Sequence, residues 1–117
     1  MTGGTAPKRK GSAFEREVAA FLREHGHPYA ERAYGAGRPQ DVGDIDGLPG
    51  FVIEAKAHRS LDLASFVDEA VSEAHNAGTG AVPVVVAKRR GNAVGESYVV
   101  LRLADFAALM AEREAVR

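Results

Sequence analysis

The sequence predicts an α/β domain with helices flanking a mixed central sheet, in the order α-β-β-β-α-β-β followed by a short C-terminal helix. Three observations predict it. Apolar residues recur at helical spacing in Phe14, Val18, Phe21 and Leu22, and again from Leu63 to Ala74. Val82 to Ala87 is an unbroken apolar run rich in Val, the pattern of a strand covered on both faces. Two strand-like segments, Asp44 to Leu48 and Phe51 to Lys56, meet at Pro49-Gly50 and read as a hairpin. Helices and strands alternating in this way stack as layers around one sheet.

Along the chain, Met1 to Gly11 is rich in Gly, Thr and basic residues without periodicity, and reads as a mobile basic arm. Residues 12–117 read as one domain. Ser12 and Glu15 have the spacing of a capping box, so the first helix is expected to start at Ser12 and to stop near Gly26. Pro28 to Ala33 is expected as a short strand, followed by a loop through Gly35, Gly37 and Pro39. The helix carrying Leu63, Phe66, Val67, Ala70, Val71 and Ala74 ends at Gly78. Tyr98 to Leu103 is a further strand, and Phe106, Leu109 and Met110 mark the last helix.

Composition removes several function classes. The 117 residues include no Cys, so a disulfide framework, a thiolate metal site and a Cys nucleophile are excluded. No Gly-x-x-x-x-Gly-Lys is present, so no nucleotide cofactor of the P-loop kind is expected. The longest apolar stretch, Ala81 to Ala87, is far short of the roughly 20 residues a membrane helix needs. Lys8, Arg9 and Lys10 have no apolar segment behind them, so a secretory signal is not expected. The expectation is a soluble cytoplasmic protein.

Net charge is −1, yet its distribution is uneven. Lys8-Arg9-Lys10 and Lys88-Arg89-Arg90 are compact basic clusters, whereas residues 61–80 hold Asp62, Asp68, Glu69 and Glu73 and no Lys or Arg. One basic face and one acidic face are therefore expected.

The chemistry concentrates in the hairpin. Glu54 and Lys56 stand two apart on a strand and leave it on one face. An acid and an amine on an otherwise apolar strand are costly unless they face a cleft and find partners. A three-residue turn over Leu48–Gly50 aligns Asp44 opposite Glu54, with Cβ atoms about 4.5–5.5 Å apart. Two carboxylates that close repel, and a hard divalent ion relieves them; oxygen donors suit Mg²⁺, with Mn²⁺ as a substitute. Asp41 stands as the alternative to Asp44 under a turn of even length, and Asp46 ranks behind both.

Asp44 with Glu54-Ala55-Lys56 resembles the signature of the PD-(D/E)xK nuclease superfamily. Lys10-Gly11-Ser12-Ala13-Phe14-Glu15-Arg16-Glu17 at the opening of the first helix, and the strand ending at Lys88, are similar to archaeal-type and phage Holliday junction resolvases. The likeness spans roughly residues 8–103, most of a domain. It departs from the pattern in one respect: Gly43, not Pro, precedes Asp44.

The resemblance implies a restriction-endonuclease-like core over residues 12–117 and a Mg²⁺-dependent endodeoxyribonuclease that resolves four-way junctions in DNA recombination and repair. It implies Asp44, Glu54 and the backbone carbonyl of Ala55 as metal ligands, with Glu15 beside the ion directly or through water, and Lys56 orienting the attacking water. A junction has two-fold symmetry, so a homodimer is expected as its partner. With the site carboxylates given to the ion, the rest of the chain is net basic. Lys8, Arg9, Lys10, Arg32, Arg38, His58, Arg59, Lys88, Arg89 and Arg90 are then the candidate DNA contacts.

Each of these residues also has a plainer reading. Glu15 completes a capping box without any ion. Glu54 and Lys56 pair with each other at a sheet edge, and the basic residues are solvated surface. A nuclease of the same fold acting on another DNA structure or sequence, and a non-catalytic DNA-binding member of the fold, stand as alternatives.

Overall fold

In the computed structural model, which describes residues 5–33 and 43–116 (side chains of 5–10 excepted), the chain begins with α1 (Thr5–Glu24). It continues through β1 (Glu31–Arg32), β2 (Ile45–Asp46), β3 (Phe51–Lys56), α2 (Leu63–Ala77) and β4 (Val82–Ala87). A 3₁₀ turn at Val94–Glu96, β5 (Tyr98–Val100) and α3 (Leu103–Ala115) complete it. The five strands lie side by side in sequence order, with β3–β4 parallel and every other pair antiparallel. Parallel neighbours need a crossover, and α2 provides it. The mixed α/β sheet expected from the pattern is present, with β3 in its middle.

Strand alternation sorts the side chains into two layers. Ile53 and Ala55 of β3, with Val84 and Val86 of β4, pack under Phe14, Val18 and Ala19 of α1. Val85 points the other way, against Phe66 and Ala70 of α2. Phe14 and Val85 are fully buried, each contributing about 1.5–3 kcal/mol by leaving water. Glu54 and Lys56, one step out of phase with Ile53 and Ala55, therefore emerge on the α2 face.

Local chemistry accounts for the boundaries. Asp62 caps α2 by accepting a hydrogen bond from the Ser65 amide at 3.2 Å, and Gly78, at φ 65°, closes it in the left-handed region. Pro83 sits inside β4 without breaking the ladder. Val82 donates its amide to Gly50 on the β3 side, so position 83 faces β5, whose pairing starts only at Val85↔Val100.

Four expectations need correction. The helix begins at Thr5, so residues 5–11 continue α1 instead of forming an arm, and Pro7 falls in the first turn, where its missing N–H is not required. Ser12 is accordingly interior to the helix, and the capping box with Glu15 does not form. β1 and β2 are only two residues each, shorter than Pro28–Ala33 and Asp44–Leu48. β5 stops at Val100, and Leu103 already belongs to α3. Among the described residues no helix is long and apolar enough to cross a membrane.

Candidate metal centre

The hairpin register is Ile45↔Ile53, the alignment expected for a three-residue turn. Asp44, however, stands outside the regular ladder. Its amide donates to Ile53 O at 2.7 Å, so two residues of the entering chain face one residue of β3, the pattern of a β-bulge. Gly43 makes this approach possible. At φ 106° it lies so near β3 that a Cβ would stand 3.0 Å from Ile53 O. The Asp44 carboxylate then turns onto β3, where Oδ2 accepts the Ala55 amide at 2.8 Å. In place of a cross-strand pair with Glu54, Asp44 is docked on the residue between Glu54 and Lys56.

Glu54 is 3% exposed, and its Oε1 has no hydrogen-bond partner. Lys56 Nζ lies 3.8 Å from the other oxygen, Oε2, and 5.3 Å from the Phe66 ring centroid. Because β3 is the middle strand, the reading of this acid and amine as a sheet-edge ion pair is corrected: both are largely buried. Lys56 also donates to Glu69 of α2 at 2.5 Å. Glu69, Glu73 and Glu54 each place a carboxylate oxygen within 4.8 Å of the others, the acidic group of this kind among the described residues.

Glu69 and Glu73 were not among the sequence candidates; of the four acids in residues 61–80, Asp62, Asp68 and Glu69 are exposed and Glu73 is buried. Glu73 is 4% exposed and lies on the buried stripe of α2 with Phe66, Ala70 and Ala74. A signal existed. Position 73 is seven residues from Phe66, hence on the apolar face at helical period, and an acid there demands a partner across the interface.

Glu15 lies on the opposite face of the sheet from Glu54, because α1 covers the Ile53–Ala55 side. It accepts from Arg32 Nε at 2.7 Å, while Arg32 Nη2 donates to Ser12 Oγ at 2.8 Å. Burial raises the Glu15 carboxyl above its ordinary pKa of 4.5; the Arg32 hydrogen bond opposes the rise and the Asp44 charge adds to it. Asp44 is thus the link between the two faces, bonded to β3 and felt by Glu15.

The basic candidates divide. Lys88 donates its amide to Lys56 O at 2.8 Å, and Arg90 Nη2 donates to Ala57 O at 3.2 Å, so the ends of β3 and β4 carry Lys56, His58, Arg59 and Lys88 to Arg90 in one rim. Arg89 also lies 4.0 Å from Glu96 and over the Tyr98 ring. Arg32 is engaged by Glu15 and Ser12 instead of standing clear as a surface charge. Lys8, Arg9 and Lys10 ride on α1, with their side chains outside the described set. Arg38 and Asp41 lie outside the described residues.

A groove of about 690 Å³ runs along the α1 face between α1, the sheet and α3, lined by Phe21, Leu22, Phe51, Val84 and Phe106 among others. It is apolar and contains none of the candidate acids, so pocket size does not identify the site here. No family model, curated protein or solved structure matches the chain.

Proposed function

We propose that this chain is a metal-dependent endonuclease of restriction-endonuclease-like topology, acting on branched DNA such as the four-way junction. The observation that carries the reading is Glu54, an acid 97% buried on the central strand with one oxygen unpartnered, set two residues before Lys56. Asp44, docked between them on the Ala55 amide, supports it. An orphaned carboxylate oxygen among hard oxygen donors suits Mg²⁺ or Mn²⁺ and does not suit a thiophilic metal.

Asp44, Glu54 and the Ala55 carbonyl would hold the ion, while Glu15, on the far face of the sheet, would act on it only through the charge of Asp44. A divalent ion so held supplies charge neutralisation at a scissile phosphate and a bound water of lowered pKa. The remaining work falls to the protein. Lys56 Nζ, beside Glu54 Oε2, would orient that water with its ammonium, and the buried setting would strengthen each of these interactions. His58, Arg59 and Lys88 to Arg90 rim the carboxyl ends of the parallel strands, where α/β sheets commonly take ligands, and would track backbone phosphates. α3 buries none of its side chains and leaves Leu103, Phe106 and Met110 exposed, which supports a homodimer matched to a two-fold substrate.

The test is incubation of the full chain with a synthetic four-way junction, a flap and a linear duplex, with Mg²⁺ and with chelator. Mg²⁺-dependent cutting of the junction, absent in Glu54→Ala and Lys56→Ala, is expected. Cutting of flap or duplex alone moves the substrate to the alternative same-fold nuclease. Binding without any cutting, or cutting that survives Glu54→Ala, refutes the catalytic reading.

A further inference from the structure

We propose that Glu54, Glu69 and Glu73 together form a binding site for a hard divalent cation at the β3–α2 interface, on the face of the sheet away from Glu15. The inference goes beyond the nuclease reading and stands without it. Its ligands come from two elements locked together by packing: Glu54 from the middle strand, and Glu69 and Glu73 from successive turns of α2, four residues apart on one helix side.

The argument is first one of charge. Two of these three carboxylates are buried, and a pair of acids inside a protein this close does not stay doubly ionised without a cation or a proton between them. Lys56 supplies one positive charge, tied to Glu69 and near Glu54. A divalent ion beside that ammonium brings the group to formal neutrality. Independently, the Glu54 oxygen that Lys56 does not approach is fully buried and accepts no hydrogen bond, although it belongs to a carboxylate gathered with those of Glu69 and Glu73. A buried acceptor left idle is costly, and a cation is the partner its surroundings select.

Geometry agrees. Oxygens spread up to 4.8 Å apart fit across an ion with bonds of about 2.3–2.6 Å, and a modest closing of the group admits the shorter bonds of about 2.0–2.1 Å. Glu69 can keep Lys56 on one oxygen and offer the other, since an ionised carboxylate accepts at both. Like charges four apart on a helix repel, a penalty that a shared cation reverses.

The test is titration of the metal-free full chain with Mn²⁺, reading free ion by electron paramagnetic resonance and stability by melting. Wild type is compared with Glu69→Gln, Glu73→Gln and Asp44→Asn. Glu69 is half exposed, so its amide variant leaves the fold intact. Whatever the total number of ions, one saturable Mn²⁺ is expected to bind at least about tenfold more weakly in both Gln variants. Asp44→Asn keeps that ion. No saturable Mn²⁺ in wild type means the acids share a proton, and overturns the proposal. So does wild-type binding in both Gln variants, or loss of the same ion in Asp44→Asn, which assigns it to the Asp44 side. Junction cutting is scored separately: a chain that binds Mn²⁺ as described and cuts nothing sinks the nuclease reading and leaves this site standing.

Discussion

Replacing Asp44 with Ala tests the bulge that joins the two faces of the candidate centre. The Asp44 carboxylate holds the Ala55 amide at 2.8 Å, and Ala55 is 7% exposed, so truncation strands a buried donor that β2 no longer reaches. A hydrogen bond to a charged acceptor contributes about 1.5–3 kcal/mol, and water has little access to replace it. For a chain of this size each kcal/mol moves the melting temperature by roughly 3–6 °C, so a fall of roughly 5–18 °C is expected in metal-free buffer. Asp44→Asn retains an acceptor oxygen and should recover most of that loss while remaining poor at holding a cation. The assay pairs thermal melts with amide exchange at Ala55, whose protection should fall in the Ala variant alone. An unchanged melting temperature together with unchanged Ala55 exchange would show that the carboxylate does not anchor the bulge.

Two further outcomes follow from the described geometry. Gly11 lies inside α1, and a Cβ there meets no atom within 4 Å, so Gly11→Ala should stabilise the fold by about 0.5–1 kcal/mol in urea titration; no gain would return residues 5–11 to an arm. Glu15 has its pKa raised in the fold, chiefly by burial, so between 4.5 and that raised value the folded chain binds more protons than the unfolded one and stability falls as pH rises. Glu15→Gln removes this titration, and its stability relative to wild type should improve from pH 4.5 upward; a flat or opposite trend defeats the assignment.

Much of the architecture is local information. Helical spacing located all three helices, Gly78 marked the end of α2, and the turn at Pro49-Gly50 set a register that the Ile45↔Ile53 pair reproduces. Period-two alternation placed Glu54 and Lys56 on one face, as their 3.8 Å approach requires. Capping was misread at Ser12, because the apolar stripe of α1 says nothing about how far a polar helix extends before it.

What the chain order alone determines is therefore the inventory of elements and the side of each element that seeks a core, since both depend on contacts within a few residues. Which acids share a cleft depends on contacts across the fold. Whether Asp44 faces Glu54 or docks on Ala55 turns on a bulge one residue long. That Glu73 meets Glu54 turns on which sheet face α2 covers, and that Glu15 stands on the far side turns on where α1 packs. Layer assignment comes from burying apolar stripes collectively, and only that assembly brings Glu54, Glu69 and Glu73 within reach of one another.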